Sequence, residues 1–250
     1  MRLRQLLARH ADILVGVRQG VLVGAAVLAV TLPPAGSANS RLAPRLAQPV
    51  AAALQIPEDD PRVADFGEHA ASADARLVAD WVARRADNQR LPFVILDKRD
   101  ARVFVFDAGA RLVDSSPVLL GAAAGDDSVA GIGQRPIAEV RPEERTTPAG
   151  RFVSQPGRNA SGEDVVWVDY DAAVSMHRVR PIDPKERRLE RLTSNDPAQR
   201  RISYGCINVP VAFFDTVVKP VVGSQKAIVY VLPETRDVRS VFAGLGGASG

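Results

Sequence analysis

The sequence predicts a mainly β domain, a sandwich or partly open barrel, with a few short helices and an N-terminal accessory helix. Three observations carry this. From Phe93 onward, short β-branched and aromatic runs alternate with turn residues. Ahead of them lies one stretch of helical period. The composition, 46% hydrophobic and 24% charged, is that of an ordinary globular chain with enough apolar residues for a core.

Taken in order, the first 38 residues read as an export signal or N-terminal anchor. Arg2, Arg4, Arg9 and Arg18 form a basic leader, and the apolar run from 21 to 32 follows. Pro33 and Pro34 end that run, and Gly36, Ser37 and Ala38 offer small residues for cleavage. The run is short of the ~20 residues that span a bilayer. The expected location is therefore outside the cytoplasm, in the periplasm or cell envelope, with anchoring by an uncleaved N-terminus as the alternative.

Residues 39–71 are rich in Ala, Pro and Arg without a sustained period, and read as a linker. Residues 72–90 hold the accessory helix, with Leu77, Val78, Trp81 and Val82 on one stripe and Pro92 closing it. The β-domain occupies 91–234. Phe93 to Leu96 and Val103 to Phe106 suggest a hairpin, and further strands are expected over 111–120, 151–154, 165–170 and 227–232. Gly121 to Arg145 reads as a long loop, and 235–250 as a flexible tail.

Charge excludes one class of function. The chain carries +3 overall, but the leader holds four arginines against one acid, Asp12. Taking these from the totals of 32 and 29 leaves 28 basic and 28 acidic residues, so nothing calls for nucleic acid.

Chemistry centres on Cys206, the single cysteine. A lone thiol in an exported protein is either buried and inert or kept for its reactivity. Val211, Phe214, Val218 and Val221 form an apolar stripe, Pro210 suits a first helical turn, and Asn208 or Val209 would be the cap. Cys206 is thus expected at a helix N-terminus, where a thiol's pKa falls from about 8.5. Of three histidines, His10 lies in the leader and His69 in a polar stretch, so His177, ending a strand-like run, is the candidate base. Gly205 allows a sharp turn that faces backbone N–H groups to a developing oxyanion. One cysteine and one usable histidine give no metal-ligand spacing, and phosphate-binding loops are absent.

These residues resemble a known family. Ser203-Tyr204-Gly205-Cys206-Ile207-Asn208 is similar to the catalytic signature of the YkuD-type L,D-transpeptidases, Ser/Thr-His-Gly-Cys-hydrophobic-Arg/Asn. Thr147-Pro148-Ala149-Gly150-Arg151-Phe152 resembles the family's Thr-Pro-x-Gly-x-Phe stretch, and His177 falls where the family has its histidine. The resemblance covers roughly 91–233. It implies the family's mainly β catalytic fold, a peptidoglycan stem peptide as substrate, and no cofactor or metal. It further implies Cys206 as nucleophile, His177 as proton acceptor, and an oxyanion site around Tyr204, Gly205 and Cys206. The acyl acceptor would be a stem amine or an envelope-protein lysine. Water as acceptor would make a wall endopeptidase or carboxypeptidase instead, and a non-catalytic wall-binding domain is the third reading.

The sequence departs from that pattern in three places. Tyr204 stands where the family most often has a second histidine. Arg178 follows the first histidine in place of a small residue; its carbonyl can still orient the imidazole. The stretch between His177 and Ser203 is longer than usual, with the extra length in 181–201, where the run Lys185 to Arg191 reads as a solvated surface helix or as a lid whose arginines meet substrate carboxylates. Ser203 is expected to steady the loop or the histidine, and Asn208 and Arg178 to bind substrate.

Overall fold

The computed structural model describes residues 62–246. The expected leader, and most of the expected linker, lie outside them. Among the described residues no helix is long and apolar enough to cross a membrane.

The mainly β expectation holds. Helix α1 (Ala73–Arg85) is followed by β1 (Phe93–Asp97), β2 (Arg102–Phe106), β3 (Leu112–Pro117), β4 (Leu120–Gly121), β5 (Gly150–Arg158), β6 (Asp164–Asp169) and β7 (Val174–Arg178). After these come α2 (Arg188–Thr193), β8 (Arg201–Ser203) and β9 (Ile207–Val209). The chain closes with α3, β10 (Ala227–Val231) and α4 (Val238–Val241), where α3 joins Val211–Phe213, a wider π-turn at Phe214–Val218, and Lys219–Val221. Among the described residues, eight strands form one sheet in the order β3-β2-β1-β10-β5-β6-β7-β9, and β4 pairs with β8. Most neighbours are antiparallel, while β1 with β10, β7 with β9, and β4 with β8 are parallel.

The central strands are buried on both faces, which is why they read as unbroken apolar runs rather than alternating ones. Val94, Leu96, Val103, Val105, Val229 and Val231 point to the inside of the curled sheet, where Met176, Ile207, Phe214 and Val218 fill the core. Phe93, Ile95, Phe104, Phe106, Ile228 and Tyr230 point the other way, onto α1. Helix α1 is therefore a layer of the fold rather than an accessory. Ser72 caps it, accepting from the Ala75 amide at 3.1 Å, and its hydroxyl donates to Asp97 at 2.5 Å. Val78 and Val82 are fully buried against the sheet, each worth about 1.5–3 kcal/mol of apolar transfer.

Two boundaries need correction. The last ten residues of the expected linker join the domain: Asp65 bridges to Arg111, and the buried Phe66 ring meets Phe104 and Phe106 edge-on at 5.6 and 5.1 Å. The expected flexible tail also folds as far as the described residues run. Val238 and Phe242 are buried, and the Phe242 ring lies 6.0 Å from Tyr230 and 6.4 Å from Trp81. A single helical turn before a glycine-rich stretch carries too few apolar residues for any period to show. The aromatic pocket it closes is built from residues distant in sequence.

Candidate active site

Parallel pairing of β7 with β9 builds the site. Met176 pairs with Ile207, His177 with Asn208 and Arg178 with Val209. Because successive side chains alternate across a strand, Met176 and Ile207 enter the core while Ser175, His177, Cys206 and Asn208 share the opposite face. Cys206 thus arrives beside His177 although 29 positions separate them (206 − 177).

The turn that delivers Cys206 is held from several sides. Gly205 has φ +127°, and a Cβ there would stand 2.7 Å from the Thr146 carbonyl oxygen, so no other residue fits without displacing backbone. Ser203 Oγ donates to the Cys206 carbonyl at 2.6 Å and accepts from the Gly205 amide at 3.1 Å. Thr147 Oγ1 donates to the Gly205 carbonyl at 2.9 Å, and Asn208 Nδ2 donates to the Cys206 carbonyl at 3.1 Å.

The thiol is half-buried, with Ser175 Oγ at 3.7 Å and the Ala173 carbonyl at 3.6 Å from Sγ. Burial pushes the Cys206 thiol up. The hydrogen bond and charge of His177, with hydrogen bonds from the Ser175 amide and hydroxyl, together outweigh it and leave the thiol below its ordinary pKa. His177 Nδ1 lies 2.8 Å from the Arg178 carbonyl. Donation from Nδ1 to that oxygen leaves Nε2 as the acceptor, the tautomer a general base requires.

The helix-terminus account of the thiol is corrected. Strand β9 stands between Cys206 and α3, Pro210 precedes the helix without a side-chain cap, and Asn208 is fully buried in the strand. A three-residue strand before a proline-led helix has no period long enough to read. The charge environment of Cys206 comes from β7.

Other expected residues land in different places. Tyr204 is exposed at the cleft, its ring covered by the Arg145 guanidinium at 4.1 Å from the centroid. The Gly205 N–H is engaged by Ser203, so it is not free for an oxyanion. The Arg178 side chain turns to Asp215, donating from Nε at 2.9 Å, and stacks on Phe214 at 4.3 Å. That leaves its carbonyl, not its guanidinium, facing the site. Sequence reasoning missed Ser175, which carries no motif, and singled out Thr147 only as part of a pattern.

A cleft of about 380 Å³ opens over the thiol, lined by His177, Cys206, Ser203, Tyr204 and Asn208, by Ile137 from the long loop, and by residues of 180–188. The inserted segment is thus a wall of the site. Its helix α2 anchors through Leu192, which packs with Leu119 and Val179.

The chain is similar in fold to the helical cell shape determining protein Pgp2 from Campylobacter jejuni, at 14% identity over 66% of this chain and 57% of that one, with a TM-score of 0.39. It is similar also to an L,D-transpeptidase from Xylanimonas cellulosilytica, at 15% identity over 56% and 60%, with a TM-score of 0.35. The catalytic domain of the L,D-transpeptidase of Enterococcus faecium matches at 18% identity over 56% of this chain and 96% of that one, with a TM-score of 0.30. The chain spans about three-fifths of the length of the first two. No family model and no curated protein matches it.

Proposed function

We propose that this protein is an exported cysteine L,D-transpeptidase that acts on peptidoglycan stem peptides through a thioester on Cys206. The observation that carries the reading is the His177–Cys206 pair. A thiol is held below its ordinary pKa by an imidazole whose other nitrogen is fixed on a carbonyl, at the floor of an open cleft. The motif resemblance around Cys206 and Thr147 supplies the substrate class.

In this mechanism the Cys206 proton passes to His177 Nε2, and the thiolate attacks the carbonyl of the third stem residue. The oxyanion forms near the turn, where the amides of Tyr204 and Cys206 are the donors to consider, since Ser203 holds that of Gly205. His177 returns the proton to the amine of the departing D-alanine as the C–N bond breaks, leaving a thioester. An amine of a neighbouring stem, or a lysine of an envelope protein, then attacks the thioester and restores the thiol.

Incubating the protein with purified disaccharide-tetrapeptide and weighing the products tests this reading. A cross-linked dimer with loss of D-alanine is expected. Tripeptide alone, with water as the acceptor, would assign a hydrolase of the same mechanism. Unchanged substrate would favour a wall-binding domain.

A further inference from the structure

We infer that Arg188 forms a carboxylate-binding subsite beside Cys206, so that the cleft selects peptides with a free carboxylate close to the bond attacked. This deepens the proposed function and rests on Cys206 being the nucleophile.

The inserted segment is shaped to deliver this one guanidinium. A turn at Pro184–Glu186, capped by Asp183, leads to Arg187, whose left-handed backbone (φ 50°) reverses the chain into α2. Arg187 consequently points outward, its side chain 65% exposed and paired with Glu190, while Arg188 points inward at 13% exposure.

Inside, the Arg188 guanidinium is fixed at two points. Nε donates to Glu186 Oε2 at 2.5 Å, and Nη1 donates to Asn208 Oδ1 at 2.8 Å. Asn208 is fully buried and donates to the Cys206 carbonyl, so two hydrogen bonds connect Arg188 with the nucleophile's own backbone. A guanidinium has five N–H donors in a rigid fork. Two are occupied here, and Nη2 has no hydrogen-bond partner among the described residues. What remains are the two hydrogens of Nη2 and one of Nη1, charged donors that a carboxylate oxygen can accept from.

The charges of the lining balance, Arg180 and Arg188 against Asp183 and Glu186, so selection of a carboxylate rests on the unoccupied donors of Arg188 and not on a net positive cleft. Glu186 is the carboxylate paired with Arg188, and the other cation on this wall, Arg180, is drawn to Glu163 at 3.4 Å. The lining also includes the apolar Ile137 and Ile182 and the ring of Tyr204. Asp183 is the remaining acid of the lining, and its Oδ1 accepts from the Lys185 amide. A carboxylate entering the cleft that Cys206 lines meets in Arg188 a charged group with donors still unoccupied. It comes from the terminal carboxylate of the departing residue or from a carboxylate on the side chain of the residue attacked.

The test uses Cys206→Ala protein, which binds without turnover, titrated with three matched stem-type peptides. One keeps both carboxylates free, one is amidated at its terminus only, and one is amidated on the side chain only. One of the two amidations is expected to weaken binding about tenfold, and which one identifies the source. In the Arg188→Met, Cys206→Ala protein that discrimination should shrink to about twofold or less, with Arg188→Lys in between. Equal affinity for all three peptides, no binding of any, or discrimination that survives Arg188→Met would overturn the assignment. The comparison among peptides stands even if Arg188→Met fails to fold. Failure of the nucleophile reading is seen separately, as a parent protein whose thiol takes no acyl group.

Discussion

The hydroxyl of Thr147 donates to the carbonyl of Gly205 at 2.9 Å, so a fully buried side chain from the loop before β5 fastens the turn that carries Cys206. The same hydroxyl accepts from the Gly121 amide at 3.0 Å, and the Thr147 carbonyl accepts from Lys98 Nζ at 2.8 Å. The Cys206 turn is thereby coupled to the buried charges of the domain.

Thr147→Val keeps the shape and removes the hydroxyl. It leaves a buried carbonyl and a buried amide without their partner, at a cost of about 2 kcal/mol. Urea unfolding should show that loss, and alkylation of Cys206 across pH should show the thiol pKa moving up as the turn loosens from His177. Thr147→Ser should restore both. An unchanged alkylation profile would mean that the hydroxyl serves stability alone.

Gly205→Ala places a methyl group 2.7 Å from the Thr146 carbonyl, in a backbone region that alanine avoids. The turn must shift, and acyl transfer should fall at least about a hundredfold, the scale of a misplaced reacting group. Single-turnover acylation reads this directly; near-parental rates would show that the turn tolerates another path.

Lys98 is fully buried and donates to Asp126, Gly125 and Thr147, while Asp126 also gathers the amides of Glu234, Thr235 and Arg236. Lys98→Met strands Asp126 and should cost about 3–5 kcal/mol. Burial pushes the Asp126 carboxyl up, but Lys98, Thr235 and the amides outweigh it and hold it well below the ordinary range. Its folded value being the lower one, its contribution is complete above the ordinary aspartate pKa of about 3.9 and is lost as pH falls below that. Glu144, brought down to about 2 by Arg141 and Arg135, acts in the same direction. Thermal melts from pH 6 to pH 2 should therefore fall more steeply for the parent than for Asp126→Asn. Parallel curves would remove Asp126 from the acid limb.

Phe242→Ala empties a site between Trp81 and Tyr230. A loss of about 3 kcal/mol is expected, whereas a flexible tail would give none. Equilibrium unfolding of the two proteins distinguishes these.

Much of this was legible in the chain because local chemistry marks it. The strand runs, the helical stripe within 72–90 and the lone Cys206 with His177 upstream each declare themselves over a few residues. What the sequence concealed is non-local. Ser175 matters only because β7 and β9 lie parallel in one register, and Phe66 and Phe242 are core only because distant aromatics meet them. Asn208 read as a helix cap since a three-residue strand has too little pattern to interrupt that reading. Arg188 lay within a charged run that also reads as a solvated face, and the left-handed turn at Arg187 that separates inward from outward arginine leaves no sequence mark.

In the proposed function His177 makes Cys206 a nucleophile. Intact-mass measurement after exposure to a carbapenem at neutral pH tests it most directly, comparing the parent with Cys206→Ala and His177→Ala. One adduct is expected on the parent, none on Cys206→Ala, and acylation slowed about a hundredfold or more on His177→Ala. A parent protein that stays unmodified, or a His177→Ala variant that acylates at the parental rate, would contradict it.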